Sequence, residues 1–312
     1  MPNKILLFLL LAGLTAVLTI QIAGCTDRHG TTSADLPKLT VNPLGNTTAG
    51  RFVDLKAGGS LPDFPEKVMV YRVKRPAVTR EQVLAQAQRL GITGEIKETP
   101  TDFRIGSQDG NYIVDRKTGS FTYTTKEFEL QVYPLKTVLS DGEYEQLATN
   151  FLTEKGLLKE NAVFRDVNRD NTYTSGDDTY EKAPFMIEAR FGHKDLNGIR
   201  FNGTGPKISV YFGENGRIIG AASVWREIEP FREYPIITCE EALKLIKNGK
   251  GMVYGTVPND RGTVKEARLI YLCDPLGYDQ EFIIPYYQVS GTNGAGEPFL
   301  AYTRAIPDRF IY

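Results

Sequence analysis

The chain has 312 residues, 41% of them hydrophobic and 24% charged, a balance typical of a globular protein with more than one folded unit. Its formal net charge of −1 argues against a nucleic-acid-binding protein, because such proteins need a basic face to displace counterions from phosphates. Two histidines are too few for a metal centre built from several histidines.

The N-terminus has the pattern of an export signal followed by a lipidated cysteine. A basic residue near the start precedes an apolar stretch over residues 5–20. Ile22-Ala23-Gly24-Cys25 then resembles a bacterial lipobox, in which the cysteine receives diacylglycerol and becomes the new N-terminus. This predicts a protein anchored by lipid on Cys25 to the extracytoplasmic face of the cell membrane. The alternative is an uncleaved anchor, although the apolar stretch is shorter than the ~20 residues of a spanning helix.

Residues 1–24 are therefore predicted to be a lipoprotein signal peptide, and residues 25–60 a flexible tether. The second segment is rich in Thr, Gly, Ser, Pro and Asn and shows no apolar period. We expect the folded body to begin near Leu61.

Three segments begin with a capping box and end at a glycine, which together predict three helices. The capping pairs are Thr79 with Gln82, Ser140 with Glu143, and Thr238 with Glu241. The terminal glycines are Gly91, Gly156 and Gly249. The predicted helices cover residues 79–90, 140–155 and 238–248.

Strands are predicted after each helix, because alternating apolar residues are separated by Asx-Gly or similar turns. They cover 102–106, 111–114, 120–124, 185–191, 207–212, 217–225, 265–273, 280–289 and 299–305, with Asx-Gly turns at Asp109-Gly110, Asn215-Gly216 and Asn293-Gly294. A helix followed by an antiparallel meander thus recurs two to three times. The predicted fold class is α+β, with each helix packed on one face of an antiparallel sheet.

Two parts of the chain resemble known families of extracytoplasmic proteins. Asp115-Arg116-Lys117-Thr118-Gly119, between two strands and after the first helix, resembles the Asp-x-x-Thr-Gly hairpin of PepSY domains. The resemblance places a PepSY-like α+β unit over 61–134.

The region from 205 to 306 is similar to YycH/YycI-type regulatory proteins. A helix that opens with Glu241-Ala242-Leu243 is followed by a strand carrying Leu-x-Tyr, a strand with a Pro-aromatic pair, and a last strand ending near Ala305. The resemblance implies a YycI-like region over 135–312, in which the helix 140–155 has strands to 227 and the helix 238–248 has strands to 306. Proteins of that family modulate a sensor histidine kinase through their own transmembrane helix, whose place the lipobox takes here. The implied role is protein contact outside the membrane.

A polar segment has the ligand spacing of an EF-hand-like calcium loop and resembles the dockerin version. The candidate ligands, at loop positions 1, 3, 5, 7, 9 and 12, are Asp166, Asn168, Asp170, Thr172, Thr174 and Asp177. Without a cation, the three carboxylates would repel one another. The alternative is a polar surface loop with Asx turns, so Ca²⁺ is a candidate structural ion and no cofactor is required.

Two cysteines follow Cys25, and an extracytoplasmic location permits a disulfide between them. Cys239 and Cys273 are therefore candidates for a bridge, or else two separately buried thiols. A catalytic thiol is not expected, because His193 is the only histidine beyond the tether. Trp225, the only tryptophan, is predicted to be a core residue, with an exposed ligand platform as the alternative.

The sequence favours a non-enzymatic binding or regulatory module that contacts an envelope protein or a wall component. It contains no Gly-x-Ser-x-Gly elbow, His-Glu-x-x-His motif, Walker loop or Cys-x-x-Cys pair. An envelope hydrolase with paired carboxylates is the alternative, because such pairs carry no local motif.

Overall fold

The computed structural model of this protein has a mixed α+β fold in which most of the regular structure is sheet. The structure describes residues 36–42, 52–131, 133–169, 184–203, 205–255, 260–275 and 277–312. These residues belong to one compact unit, Leu36–Tyr312.

The described residues form four α-helices and 17 strands. The helices are α1 (Arg80–Arg89), α2 (Lys126–Leu130), α3 (Asp141–Glu154) and α4 (Cys239–Lys247). The strands are β1 (Phe52–Ala57), β2 (Lys67–Val73), β3 (Ile96–Glu98), β4 (Asp102–Ser107), β5 (Gly110–Asp115), β6 (Phe121–Thr125), β7 (Ala162–Asn168), β8 (Ile187–His193), β9 (Arg200–Gly203), β10 (Lys207–Phe212), β11 (Ile218–Val224), β12 (Ile228–Pro235), β13 (Met252–Tyr254), β14 (Asp260–Cys273), β15 (Phe282–Ile283), β16 (Pro285–Asn293) and β17 (Pro298–Arg304).

The three predicted capping boxes are all formed, and each begins a predicted helix. Thr79, Ser140 and Thr238 accept a hydrogen bond from the backbone N–H three residues on, at α1, α3 and α4 respectively. In each box the third-position Gln or Glu accepts in return from the backbone N–H of the cap. Local hydrogen bonding therefore fixes where these helices start.

An eight-stranded, entirely antiparallel sheet has the order β3-β4-β5-β6-β11-β10-β8-β7. The β10–β11 turn uses Asn215 and Gly216 with φ of 56° and 69°, as the Asn-Gly signal predicts. Pairing of β6 with β11 joins strands from both sides of the boundary predicted at 134/135 into this one sheet.

Helices α1 and α3 supply apolar side chains to the core on this sheet. Val83 and Ala87 of α1, together with Tyr144, Ala148 and Leu152 of α3, are buried in one cluster with inward-facing residues of the sheet. The 3.6-residue period of each helix produces these apolar stripes.

A second, six-stranded sheet has the order β1-β14-β16-β17-β13, with β9 also paired to β14. Strands β1 and β9 run parallel to β14, so the prediction of exclusively antiparallel sheets is wrong here. The 14-residue β14 pairs with β1 along Asp260–Val264 and with β9 along Ile270–Cys273. Both partners are distant in sequence, so no hairpin turn marks them.

The tether predicted over 25–60 is wrong for the described residues at 36–42 and 52–57. Leu39 is 0% exposed and its backbone N–H donates to the Phe310 carbonyl oxygen at 2.7 Å. Phe52 and Leu55 of β1 are also buried. Single apolar residues between polar ones anchor this segment to the core. The polar composition of the segment as a whole predicted a tether and gave no sign of these buried residues.

A three-stranded sheet, β12-β2-β15, completes the described fold. The strand predicted over 280–289 is divided at Ile284 into β15, which pairs with β2, and β16, which pairs with β14. Strands β2 and β12 bring the segments that follow Val73 and Val224 to the edge of the cavity described next.

Candidate functional site

A cavity of about 500 Å³ lies among α1, the β5–β6 hairpin, the turn after α3, and the chain segments that follow β2, β11 and β14. Gln86 of α1 donates to the Lys155 carbonyl oxygen at 2.9 Å, which holds α1 against the end of α3 beside the cavity. The volume is within the range of ~300–1,000 Å³ that is usual for small-molecule sites.

The floor of the cavity is apolar and partly aromatic. Val83 of α1, Tyr112 of β5, Phe121 of β6 and Trp225 after β11 line it and are buried. Tyr112 and Phe121 are diagonal neighbours on the paired strands β5 and β6, with ring centroids 5.8 Å apart. Trp225 is only 5% exposed, which favours the core prediction, yet it also lines this cavity.

Basic side chains outnumber acidic ones around the cavity. Among the described residues, its lining includes Lys74, Arg75, Lys117, Lys159 and Arg226 but only two carboxylates, those of Glu227 and Asp279. We call this site the cationic cavity.

The outer cations of the cationic cavity take part in ion pairs. One oxygen of Asp279 contacts both Arg75 (3.1 Å) and Lys117 (3.3 Å). Lys159 lies 3.8 Å from Glu227. Both carboxylates of the lining are therefore engaged by basic side chains.

Arg226 differs from the other cations of the cavity because it is 3% exposed. Its Nη1 donates to the Ser120 hydroxyl (3.0 Å) and to the Trp225 carbonyl oxygen (3.1 Å). Its Nη2 donates to the Tyr278 carbonyl oxygen (3.4 Å), and its buried Nε has no hydrogen-bond partner among the described residues. No carboxylate in the described part of the chain forms an ion pair with it. Burial lowers the pKa of its guanidinium.

The Asp-x-x-Thr-Gly turn positions the residue that holds Arg226. The Asp115 carboxylate accepts from the backbone N–H groups of Lys117 (3.1 Å) and Thr118 (2.7 Å), and Gly119 takes a φ of 66°. This compact turn places Lys117 on the rim and the buried Ser120 beneath Arg226. The motif on which the PepSY resemblance rests thus forms one wall of the cavity.

A second, smaller cavity of about 230 Å³ has His193 in its lining. The His193 ring stacks on Trp225 with centroids 5.5 Å apart and an interplanar angle of 23°, so the two rings lie between the two cavities. Burial lowers the pKa of His193, and the hydrogen bond from its Nδ1 to the Lys194 carbonyl oxygen (2.7 Å) opposes that effect.

The calcium loop is described only at its beginning. Asp166 and Asn168 lie on β7, where the Asp166 carboxylate accepts from Arg190 (2.5 Å) and the Asn168 amide donates to Glu188 (3.2 Å). The other candidate ligands, Asp170, Thr172, Thr174 and Asp177, lie outside the described residues. No cluster of three or more His, Cys, Asp or Glu side chains suited to a metal occurs within the described ranges. Calcium in this loop stays a prediction.

Cys239 and Cys273 are free, buried thiols in the same apolar cluster. Burial raises the pKa of Cys239 to about 11 and also raises the pKa of Cys273. High thiol pKa values disfavour the thiolate that metal binding and nucleophilic chemistry require. The structure thus has the two thiols in the separately buried form.

The lipidation site at Cys25 and the signal sequence before it lie outside the described residues. In the part of the chain that the structure describes, no helix has the length and apolar composition to span a bilayer.

Comparisons with known proteins give a distant structural likeness only. No family model matches the chain, and no curated protein matches it in sequence. A solved structure of an uncharacterized protein from Eubacterium rectale is similar with a TM-score of 0.45 and 13% identity, over 77% of this chain and 85% of that one. A likeness at this level assigns no function.

Proposed function

We propose that this chain is a lipoprotein, anchored through Cys25 on the extracytoplasmic face of the membrane, that acts as a non-enzymatic binding or regulatory module for an envelope protein or wall component. The lipobox motif supports the location. The observation that carries the binding role is the cationic cavity, in which Arg226, buried and without an ion pair among the described residues, adjoins an apolar floor. Convergent polar groups over an apolar lining are typical of binding sites.

The order of elements supports a construction from helix-plus-meander units like those of PepSY and YycI proteins. Helix α1 precedes β3–β6, α3 precedes β7 and β8, and α4 precedes β13 and β14. We propose that the first two units share a sheet through the β6–β11 pairing. The cavity then lies on the first unit, and the chain segments that follow β2, β11 and β14 complete its lining.

Binding is favoured over hydrolysis because of the state of the two carboxylates in the cavity. A glycosidase needs one carboxyl group free to donate a proton and a second free to act as base or nucleophile. Here Asp279 contacts two cations and Glu227 contacts a third.

The binding role can be tested by crosslinking in the native membrane. A photoreactive amino acid at position 82, whose glutamine is exposed and lines the cavity, should capture an envelope component that mass spectrometry identifies. The same group at position 97 on β3, outside the cavity lining, is the matched control. Capture of nothing specific from position 82, together with cleavage of wall glycan by the purified protein, would favour the hydrolase.

The anchor has a separate test. Mass spectrometry of protein extracted from membranes should find an N-terminus at Cys25 carrying acyl mass. An unmodified N-terminus at Met1 would contradict the lipoprotein proposal.

A further inference from the structure

We infer that the cationic cavity binds an amphipathic oxyanion, a small molecule or wall fragment whose carboxylate or phosphate pairs with Arg226 while its apolar body lies over Trp225, Tyr112 and Phe121. This inference rests on the proposed binding function and adds the chemical class of the ligand.

The first argument is the charge state and burial of Arg226. A guanidinium stays protonated in proteins, so this side chain buries a full positive charge. Within the described residues its hydrogen-bond acceptors, the Ser120 hydroxyl and two backbone carbonyl oxygens, are all neutral. Asp115, Asp274 and Asp279 favour this charge electrostatically, but none of them forms an ion pair with Arg226. A buried charge without a directly bonded counter-charge is unfavourable, and an anion in the adjoining cavity would supply that contact.

The second argument is the unused hydrogen-bonding capacity of Arg226. A guanidinium has five N–H donors, and three hydrogen bonds engage Arg226 within the described residues, one of them long at 3.4 Å. Carboxylates and phosphates match the planar fork of a guanidinium and can take two parallel hydrogen bonds. A neutral sugar or alcohol would use the same donors but leave the guanidinium without an ion-pair partner among the described residues.

The third argument is the electrostatic field that the charged side chains produce at the mouth of the cavity. Lys74, Arg75, Lys117 and Lys159 all line it. Glu229 pairs with Lys74 (3.5 Å) and Glu227 with Lys159 (3.8 Å). A single carboxylate oxygen of Asp279 serves both Arg75 and Lys117, so in the described part of the chain these four cations and Arg226 face three carboxylates. The excess of positive charge attracts anions and disfavours cations. This argues against a cationic peptide or a metal ion as the occupant.

The fourth argument is the floor, which requires more than a free inorganic anion. Buried aromatic and aliphatic side chains line the cavity together with the cations. Contact with them is favourable only for a ligand with an apolar body, at ~25 cal/mol for each Å² of apolar surface removed from water. The expected ligand is therefore amphipathic.

The only tryptophan of the chain offers a direct probe, because it lines the cavity. Full-length protein carrying 5-fluorotryptophan, reconstituted in lipid nanodiscs, gives a single ¹⁹F resonance from position 225. It is titrated with four matched compounds: 4-phenylbutyrate, 4-phenylbutyl phosphate, 4-phenylbutanol and 4-phenylbutylammonium. Both oxyanions should shift the resonance saturably, the alcohol should bind about tenfold or more weakly, and the ammonium should not bind.

Three variants locate the effect. Arg226→Gln should remove the preference for the oxyanions over the alcohol. Because that change alters a buried residue, Lys117→Ala on the exposed rim provides a second test and should weaken oxyanion binding several-fold at low salt. Lys97→Ala, an exposed cation of β3 outside the cavity, is the matched control and should bind like the unaltered chain.

The outcomes separate this inference from the proposed function. Equal affinity for the alcohol and the oxyanions, or binding of the ammonium, would overturn the oxyanion class while leaving a binding module. A resonance that no compound shifts, combined with specific crosslinking from position 82, would also overturn the inference alone. If no compound shifts the resonance and crosslinking from position 82 captures nothing specific, both the oxyanion inference and the proposed binding function would be overturned. A stronger response to the phosphate than to the carboxylate would support the inference and identify a phosphorylated source.

Discussion

The eight-stranded and six-stranded sheets of this protein are assembled in different ways. In the first, every neighbouring pair is antiparallel, and most neighbours are joined by short turns. In the second, β14 pairs in parallel with β1 and β9, which lie far away in the sequence. Parallel neighbours cannot be joined by a tight turn, so their pairing depends on tertiary packing. The comparison shows that the first sheet forms mainly from pairings that are local in the sequence, whereas the second also needs pairings between distant segments.

The cationic cavity lies mainly on the locally encoded region. Its floor comes from α1, β5, β6 and the residue after β11, whereas Asp279 and Gln280 follow β14 of the six-stranded sheet. The site therefore depends on the segment after β14 for part of its rim and for the contact of Tyr278 with Arg226.

The largest expected effect tests whether residues 36–42 belong to the core. Leu39→Ala should lower the free energy of unfolding by about 2–5 kcal/mol, because it removes a fully buried side chain. Urea denaturation measures it. Thr40→Ala, at the exposed neighbouring position, should change stability by no more than about 0.5 kcal/mol. A Leu39→Ala variant as stable as Thr40→Ala would mean that this segment is a tether after all.

A smaller effect tests the pairing of β14 with β16. Gly291→Ala would push a methyl group against the Thr263 carbonyl oxygen and within 2.8 Å of the Phe299 ring. We expect a loss of about 1–3 kcal/mol, the usual range for overpacking, in the same denaturation assay. Gly59→Ala is the control, because nothing lies within 4 Å of its added carbon. Equal stability of the two variants would contradict the β14–β16 register.

The helices of the two regions should lose similar amounts of stability when a capping hydrogen bond is removed. Ser140→Ala at α3 and Thr238→Ala at α4 each remove one capping bond of the same geometry. Each should cost about 1 kcal/mol, measured by thermal or urea unfolding. Ser140→Asp keeps an acceptor at the cap and should retain most of the stability. A Thr238→Ala loss far above that of Ser140→Ala would show that the cap contributes to packing on the six-stranded sheet.

The smallest expected effect is the pH dependence of stability that comes from His193, whose ring stacks on Trp225 between the two cavities. Because burial holds the pKa of His193 below its unfolded value, the unfolded chain binds this proton more readily. Stability should therefore fall as the pH drops below about 6.5, the ordinary pKa of histidine, toward the lowered pKa of the folded state. Lys194 and Arg165 disfavour the charged ring and Glu227 favours it.

His193→Asn keeps a hydrogen-bond donor but does not titrate in this range. The difference in unfolding free energy between the unaltered chain and this variant should shrink from pH 7 to pH 5 and stay constant from pH 7 to pH 8. Parallel losses in the two proteins down to pH 5 would assign the acid sensitivity to other groups.

The sequence predicted those parts of the fold that depend on neighbouring residues. Capping boxes located α1, α3 and α4, and the Asn215-Gly216 turn located the β10–β11 hairpin. Seven of the described strands were missed, namely β1, β2, β3, β7, β9, β12 and β13. Of these, β1, β2 and β9 pair only with strands elsewhere in the chain, so no local turn marks them.

The candidate site was predictable only in its parts. The Asp115-to-Gly119 turn and the tryptophan at position 225 were both evident in the sequence. Arg226 was not, because its burial depends on Ser120 and Tyr278, which lie 106 and 52 residues away from it. A basic residue after a strand carries no local sign that it will be buried.

The central claim is that the cavity holds an acidic, partly apolar ligand through Arg226, and native mass spectrometry of the chain extracted gently from its own membrane tests it most directly. Beyond the acyl mass on Cys25, the protein should retain a small molecule that proves to be a carboxylic or phosphoric acid after release. The Arg226→Gln variant should lose that molecule, and the Lys97→Ala control should keep it. A neutral or basic molecule, equal retention by the Arg226→Gln variant, or no retained molecule in the unaltered chain would contradict the account.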